Sequence, residues 1–533
     1  MNKYKISQLN IGVNESDGSL EKKIIKLLQI KKEDLKSFDI VKKSIDARKK
    51  PDIFYVYTVV VEASNVKKLV LKNKNITMSK SEKEYSFTPC GQEEIINRPV
   101  VVGFGPAGMF CGYLLALYGY KPIIVERGAD VETRQKLVNA FWKTGELDEE
   151  TNVQFGEGGA GTFSDGKLNT GINDKLGRGE FVLKTFVRFG ANNNILYDAK
   201  PHIGTDILAE VVMNLRKEII KLGGEIHFNS KLNDINQIKG SYQLLINDKT
   251  IETNVLVLSL GHSARDTFEM LYDIGVEMEQ KPFAIGVRVE HKQKNIDDVM
   301  YGEGHSNKLP ASPYKLTSKV ECSDGSVRGV YSFCMCPGGY VVNASSEKGG
   351  TVVNGMSYND RSGENSNSAI VTTVTPSDFP GNHPLDGVRF QRELEQRAFN
   401  AGNGAIPVQR YIDFKHNEIT KNTGLITPNI KGNYTFANIK DILPEYVSEA
   451  IEKAMPGFGK NIKGYDCDDA IISAVESRTS SPIRIIRDDE YQSVSHPGIY
   501  PCGEGAGYAG GITSAAIDGM KVFEAIASKY SNK

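Results

Sequence analysis

Three glycines in a fixed spacing have the most specific chemical use in this sequence. Gly103, Gly105 and Gly108 form a GxGxxG pattern directly after three valines, and a helix-like segment opens with Pro106 and Ala107. Gly103 permits a sharp turn, Gly105 lets the backbone approach a pyrophosphate, and Gly108 lets the helix pack closely on the strand. The unpaired N–H groups at the start of such a helix attract phosphate. The pattern predicts a dinucleotide site.

An acidic residue lies where such a site needs one. A second apolar run ends at Glu126, 23 positions after Gly103, and Arg127 follows it. A carboxylate at this position can accept hydrogen bonds from the hydroxyl groups of a ribose. The GxGxxG spacing recurs at residues 156–161 and 505–510, but neither copy is followed by a strand and an acid at the right distance. The first copy of the motif is therefore the one that predicts a cofactor.

Small residues are dense in the stretch from Phe155 to Ile172. Many glycines and exposed backbone amides suit close wrapping around a flat or phosphorylated ligand. A flexible surface loop is the alternative, although loops of this length are uncommon unless they are functional. The residues predicted to contact the ligand here are Gly158, Gly159, Gly161 and Thr162.

Two later strand ends are predicted to reach the same site. The first is an apolar strand that ends at Leu260 and Gly261. The second leads into a glycine-rich turn with one acid, followed by a helix whose N-terminus would face an electron-rich group. The predicted contacts of this second unit are Gly503, Glu504, Gly511, Ile512 and Thr513.

Strands and helices that alternate around these motifs predict an α/β fold. We expect a discontinuous Rossmann-like binding domain, with an inserted β-rich substrate domain and a small N-terminal α/β domain. The predicted segments are a basic domain (1–75), a linker (76–97), the first part of the binding domain (98–275), the inserted domain (276–440) and the C-terminal part of the binding domain (441–533).

Composition and charge narrow the class of protein. A chain of 533 residues suggests roughly three domains of ~150 residues each. The formal net charge of −1 gives no overall attraction to nucleic acid or membrane. Residues 1–75, however, hold 17 Lys and Arg against nine Asp and Glu. This basic segment is either a docking surface for RNA or another anionic partner, or a Lys-rich solvated surface, which we favour.

The cysteines and the N-terminus indicate a reduced, cytoplasmic protein. Seven scattered cysteines form no disulfide framework, and the first residues lack the apolar core of a signal peptide. No uninterrupted apolar run reaches the ~18 residues that a membrane span needs. No spacing of His, Cys, Asp or Glu predicts a metal site, and the oligomeric state stays open.

The chain resembles the two-dinucleotide-binding-domain flavoproteins of the glutathione-reductase superfamily, and within them a poorly characterised group of FAD-dependent dehydrogenases. The resemblance rests on residues 103–108 with Glu126, on Leu260–Gly261 in place of the family's Ala-Thr-Gly, and on Gly503–Glu504 in place of its Gly-Asp. It implies FAD in the first unit, with Glu504 on the ribityl chain of the flavin. Because a second complete unit is absent, NAD(P)H would act only as a transient reductant.

The resemblance implies a flavin-dependent oxidoreductase that passes a hydride between flavin N5 and an unidentified small molecule. The catalytic candidates are Cys334 and Cys336, which form a C-x-C pattern, together with His262 and Arg478. Each candidate has a structural alternative. The two cysteines would be turn and core thiols, His262 would be a loop residue at a helix cap, and Arg478 would pair with a local acid. A second hypothesis is an RNA-modifying or RNA-binding flavoprotein that docks through residues 1–75, although we expect no nucleic-acid partner.

Overall fold

The N-terminal residues form an antiparallel sheet with a helix packed on it. The computed structural model describes residues 2–16, 18–67, 70–79 and 84–532. The elements of this first sheet are β1 (Asn2–Gly12), α1 (Ser19–Leu28), β2 (Leu35–Lys49), β3 (Asp52–Ala63) and β4 (Ile76–Met78). The strands lie in the order β2-β3-β1-β4, and α1 buries Leu20, Ile24 and Leu28 against them. The linker predicted from residue 76 therefore begins too early, because β4 pairs with the edge of β1.

The next part of the chain combines strands and helices, which alternate at its start around the GxGxxG turn. Its helices are buried on one side, and α2, which follows the GxGxxG turn, is buried almost all round. The elements are β5 (Val100–Val102), α2 (Pro106–Leu117), β6 (Ile123–Val125), α3 (Val131–Thr144), α4 (Arg178–Arg188), α5 (Gly204–Lys221), β7 (Glu225–His227), β8 (Leu232–Ile238), β9 (Ser241–Ile246), β10 (Lys249–Thr253), β11 (Leu256–Leu258), α6 (Arg265–Asp273) and β12 (Met278–Gln280).

Strands predominate in the part of the chain that follows, and a strand–helix unit closes it. The elements are β13 (Phe283–Lys292), α7 (Gln293–Tyr301), β14 (Thr317–Glu321), β15 (Val327–Cys336), β16 (Tyr340–Asn343), β17 (Val353–Met356), β18 (Asn365–Val374), α8 (Asp386–Gly402), β19 (Ile406–Arg410), α9 (Tyr411–His416), β20 (Ile430–Lys431), β21 (Tyr434–Phe436), α10 (Glu445–Asn461), β22 (Ile471–Glu476), β23 (Ile483–Ile485), β24 (Ile499–Pro501) and α11 (Ile512–Lys529). The mixed α/β class is confirmed.

A parallel sheet carries the glycine motif. Its strands lie in the order β24-β11-β5-β6-β7, and each pair is parallel. Strands β5, β11 and β24 are wholly buried, as expected for a sheet covered on both faces. The chain order reverses between β5 and β11, which makes this the switch point of the sheet. Ligands of open α/β sheets bind outside the carboxyl ends of the strands at such a point.

A larger mixed sheet packs beside the parallel one. Its strands lie in the order β14-β15-β18-β13-β22-β19-β21. Helix α10 packs on this sheet through Val447, Ile451 and Phe458, and β22 pairs with both β13 and β19. The inserted domain was predicted to end at residue 440. It extends to Glu476 instead, because α10 and β22 belong to its core.

The N-terminal sheet contacts two other parts of the chain, one near the parallel sheet and one near the mixed sheet. The Lys43 N–H donates to Tyr197 O at 2.7 Å, and the Ala199 N–H donates to Lys43 O at 2.8 Å. On the other side, the Tyr55 hydroxyl donates to Lys308 O at 2.8 Å. The N-terminal sheet thus joins the segment before α5 to the loop after α7.

Helices α2 and α11 cross closely over the parallel sheet. A Cβ at Gly519 would lie 2.1 Å from Ala107 O, so only glycine permits this approach. The extended residues before β5 then run along the end of α11, where the N–H groups of Cys90 and Gly91 donate to Ala527 O. None of the helices in the described ranges is long and apolar enough to cross a bilayer.

Candidate functional site

A cavity of about 420 Å³ lies between the parallel sheet and the mixed sheet. Residues that follow β5, β6, β11 and β24 form one wall, at the switch point of the parallel sheet. Residues of β15, β17 and β22 form the opposite wall. The predicted site residues that line this cavity are Gly103, Gly105, Pro106, Ala107, Glu126, Arg127, Gly159, Gly161, Gly261, His262, Cys334, Cys336, Arg478, Glu504, Gly511 and Ile512.

Five residues predicted to contact the cofactor lie behind the cavity wall. They form hydrogen bonds or close packing contacts with neighbouring protein groups. These contacts stabilise the loops that carry the cavity lining. Gly108 packs against Gly103 O and Ser259, Gly158 N donates to Phe104 O, Thr162 Oγ1 accepts from Arg134, Gly503 N donates to Asp518, and Thr513 Oγ1 donates to Leu168 O.

The glycine turn has the geometry that a phosphate needs. Gly103 has a φ of +97°, and a Cβ there would lie 2.5 Å from Ser259 O. A Cβ at Gly105 would meet only Gly159 Cα, at 3.8 Å, so packing within the protein does not require glycine at that position. Helix α2 starts at Pro106 without a side-chain cap, which leaves its first N–H groups for a ligand.

Glu126 is held by the backbone around it. Its Oε2 accepts from the Phe104 N–H at 2.9 Å, and its Oε1 accepts from the N–H groups of Gly128 and Gly156 at 3.0 and 2.9 Å. An ionised carboxylate has about four acceptor sites, so about one remains for a ribose hydroxyl. The three backbone bonds fix the carboxylate at the end of β6 and tie the glycine-rich loop to it.

Arg127 forms one end of the cavity. Its guanidinium lies over the Phe155 ring, 4.1 Å from the centroid, and donates to Asp266 and Glu150 at 2.8 Å each. Lys231 bonds to the same two carboxylates. Burial acts to raise the pKa of Asp266, but Arg127 and Lys231 hold that pKa well below its usual range. This end of the cavity is a rigid, internally neutralised wall.

The structure places Glu504 beside His262. The Nδ1 of His262 lies 3.2 Å from Glu504 Oε1, and both side chains line the cavity. His262 is 8% exposed, and its Nε2 is buried with no hydrogen-bond partner in the described part of the chain. The sequence predicted separate roles for these two residues and gave no sign of their contact, because 242 positions separate them.

Arg478 is the partner of a buried acid, which was the alternative weighed for it. Its guanidinium donates to Glu395 Oε1 and Oε2 at 2.9 and 2.6 Å, and also to Ser263 and Ser346. Arg265 donates to the same two carboxylate oxygens. Burial acts to raise the pKa of Glu395, but the two guanidinium groups hold it well below its usual range. The network joins the loop after β11 to the mixed sheet.

The two cysteines of the C-x-C pattern lie on the wall formed by the mixed sheet. The register between β15 and β18 shifts between Phe333 and Cys336, and Cys334 has a φ of +41°. Cys334 is accessible from the cavity but is deeply surrounded by protein, and burial raises its pKa to about 12. Burial also raises the pKa of Cys336. The Cys334 thiol is therefore protonated near neutral pH, which disfavours a reactive thiolate at this catalytic candidate and favours the alternative of a core thiol.

Sequence reasoning missed several polar side chains that line the cavity. Lys167 donates to Met335 O and pairs with Asp165 at 2.9 Å. It lies in the glycine-rich stretch that was predicted to wrap a ligand, but it was not singled out. Asn354 and Glu476 lie on strands whose sequences carry no motif. In the described residues no group of three or more His, Cys, Asp or Glu is arranged to hold a metal ion.

Two family models match the chain. Residues 282–479 match the family described as FAD-dependent protein, C-terminal domain-like, and residues 3–62 match a domain of unknown function. The first match spans the mixed sheet. The match supports FAD as the cofactor of this chain, whose cavity lies at the switch point of the parallel sheet. No comparison supports the RNA-binding alternative.

A relative covers nearly the whole chain. It is an uncharacterised protein of Clostridium beijerinckii, 49% identical over 531 residues, which are 99% of each chain. The chain belongs to the same family as that protein.

The chain is similar to several solved structures at low sequence identity. CtdE in complex with FAD is 11% identical with a TM-score of 0.28, over 82% of this chain and 83% of that one. Native FqzB is 11% identical with a TM-score of 0.33, over 82% of this chain and 75% of that one. TM-scores this low carry no argument about fold or function, and they do not bear on the resemblance to the glutathione-reductase superfamily.

Proposed function

We propose that the protein is an FAD-dependent oxidoreductase that transfers a hydride between the flavin and a small molecule. The observation that carries the proposal is a single cavity with two unlike walls. One wall has the uncapped N-terminus of α2 and the glycine turn, at the switch point of a parallel sheet. The other wall belongs to the domain that matches the FAD-dependent family.

The glycines of the cavity fit an extended dinucleotide. A Cβ at Gly261 or Gly510 would meet no atom within 4 Å, and one at Gly511 would meet only Ser514 Oγ, at 3.9 Å. Together with Gly105, these positions are open on the cavity side, where a ligand would replace the missing side chains. Packing within the protein does not require glycine at these positions, whereas close contact with a bound ligand would.

The residues suggest how FAD would be held. The N–H groups at the start of α2 would bind the pyrophosphate, and the remaining acceptor of Glu126 would bind a ribose hydroxyl. Helix α11 begins at Ile512 without a side-chain cap, so its N-terminus would stabilise negative charge on the pyrimidine end of the flavin. Bound FAD would supply the hydride chemistry.

The second wall would hold the substrate. Asn354 and Thr479 line it, and Lys167 of the glycine-rich loop reaches it through its bond to Met335 O; these residues would bring polar groups to a small molecule. No second GxGxxG unit with strand and acid is present in the sequence, so NAD(P)H would bind transiently at the flavin rather than at a site of its own.

Flavin content and anaerobic reduction test the proposal. The purified protein should bind FAD, and the flavin absorbance should bleach with NADH, with NADPH or with a member of a metabolite panel. Gly105→Val should lower FAD affinity at least tenfold, because the branched side chain would fill the phosphate cradle. The matched control is Gly329→Val, at an exposed strand position where a Cβ meets nothing within 4 Å. A wild-type protein that takes up no FAD would overturn the proposal.

A further inference from the structure

His262 has a ring nitrogen that the protein leaves without a partner. The residue lines the cavity and is 8% exposed, and its Nε2 is buried with no hydrogen-bond partner in the described residues. Leaving a buried polar atom unpaired is costly, and such exceptions call for an explanation. A ligand in the cavity would provide the missing partner.

Glu504 sets the state of that nitrogen. Glu504 Oε1 lies 3.2 Å from Nδ1, so an ionised Glu504 accepts the Nδ1–H and leaves the lone pair on Nε2. A histidine oriented in this way by a carboxylate can take a proton at Nε2 and share the resulting charge with its partner. The carboxylate side chain of Glu504 also lines the cavity, and 30% of it is exposed.

A second carboxylate, that of Glu476 on the mixed sheet, lines the same cavity as His262. Burial raises the pKa of Glu476, and Arg288 beside it acts to lower that pKa. Glu476 itself is paired with Arg288 at 2.8 Å. Arg478 lies behind the loop of His262, bonded to Ser263 and to Glu395. Among these carboxylates, Glu504 is the one in direct contact with the His262 ring.

We infer that His262 is the catalytic base of the site and that Glu504 is its positioning residue, for a substrate with a hydroxyl or amine on the carbon that is oxidised. The inference rests on the proposed function. In the step, the O–H or N–H bond breaks and its proton goes to His262 Nε2. The C–H bond of the same carbon breaks and its electron pair leaves as hydride to oxidised FAD. A C=O or C=N bond forms.

The experiment compares matched variants in the FAD-loaded protein. The variants are His262→Gln, which keeps a similar volume, and Glu504→Gln, which keeps an acceptor for Nδ1–H but has no charge. The control is His202→Gln, a partly buried histidine that bonds to Asn359 O and lies outside the cavity lining. The probes are a panel of primary and secondary alcohols and amines, mixed anaerobically with the enzyme, and dithionite, which needs no base.

We expect His262→Gln to bind FAD and to be bleached by dithionite like the wild type. With the alcohol or amine that reduces the wild type fastest, its flavin reduction should slow by about 10²–10⁴-fold, the usual contribution of a general base. Glu504→Gln should slow flavin reduction at saturating substrate while the KM stays near its wild-type value, since its amide oxygen still accepts the Nδ1–H but shares no negative charge with the ring. His202→Gln should leave the rate and the KM unchanged.

Two results would overturn the inference and leave the proposed function intact. One is a His262→Gln variant whose flavin is reduced by the substrate as fast as that of the wild type. The other is a wild-type flavin that NADH or NADPH reduces but no alcohol or amine in the panel reduces. A wild-type protein that binds no FAD would instead overturn the proposed function and the inference with it.

Discussion

Replacing Glu395 by Gln should destabilise the protein by about 3–5 kcal/mol, the cost of breaking a buried ion pair by removing one partner. Glu395 is 1% exposed and receives two hydrogen bonds from each of two guanidinium groups. In the variant, Glu347 still pairs with Arg265 at 2.6 Å, but it lies 4.0 Å from Arg478. One buried guanidinium is thus left without a close anion, and the new amide group turns N–H donors toward it.

The assay is thermal unfolding of the wild type and the variant. For a unit of 150–250 residues, 1 kcal/mol corresponds to about 2–4 °C, so the expected loss in Tm is roughly 6–20 °C. The control is Glu393→Gln on the same helix, where an exposed carboxylate pairs with Arg397. That change should cost no more than about 0.5 kcal/mol, because exposed i,i+4 pairs contribute little.

The pH dependence gives an independent check. A carboxyl group with a depressed pKa stabilises the fold above its unfolded pKa, about 4.3 for Glu, and this stability is lost as the pH falls toward the folded value. The difference between the wild type and Glu395→Gln should therefore shrink below about pH 4. Equal stability of the Glu395→Gln and Glu393→Gln variants at pH 7.5 would refute the reasoning, and so would a difference that stays constant down to pH 3.

Two further predictions concern packing and burial. Gly519→Ala should destabilise the protein by about 1–3 kcal/mol, measured by thermal unfolding, because its Cβ would lie 2.1 Å from Ala107 O. The control is Gly457→Ala in α10, where the Cβ would meet only Ser318 Oγ, at 3.6 Å. This variant should be neutral or slightly stabilising in the same assay. Burial raises the pKa of Glu290 to about 7, so its ionisation should reduce stability as the pH rises from about 4.5 to 7. Glu290→Gln should remove this loss of stability, which is about 3 kcal/mol. The measurement is urea unfolding of the variant and the wild type at pH 5 and pH 8. The same difference in free energy of unfolding at both pH values would contradict the prediction.

The glycine turn and its strand were predictable because their function is local. Gly103, Gly105 and Glu126 belong to one strand–helix–strand unit, and the spacing along the chain fixes their positions in space. Gly261 and Gly511, which line the cavity in the later units, could be predicted because each lies within three residues of a strand end or a helix start.

The contacts that define the rest of the site are non-local, and no spacing encodes them. His262 meets Glu504 across 242 positions, and Arg478 meets Glu395 across 83. The domain boundary at residue 440 was missed for the same reason: α10 is an ordinary amphipathic helix, and only its packing on the mixed sheet shows where it belongs. The raised pKa of Cys334 was not predictable either, because it depends on burial in the folded protein and not on residue type alone.

The order of strands in the parallel sheet has a consequence for biosynthesis. About 400 residues separate β5 from β24, which belongs to the same sheet. Helix α11, which packs on α2, lies beyond β24. At about 5–20 residues per second, the nascent chain waits roughly 20–80 s between the synthesis of the two ends of the sheet. The mixed sheet, whose strands lie within residues 283–476, can be completed first. The cavity at the switch point therefore closes only after β24 and α11 have been synthesised, and a product truncated before β24 would carry the glycine turn without part of the wall that faces it.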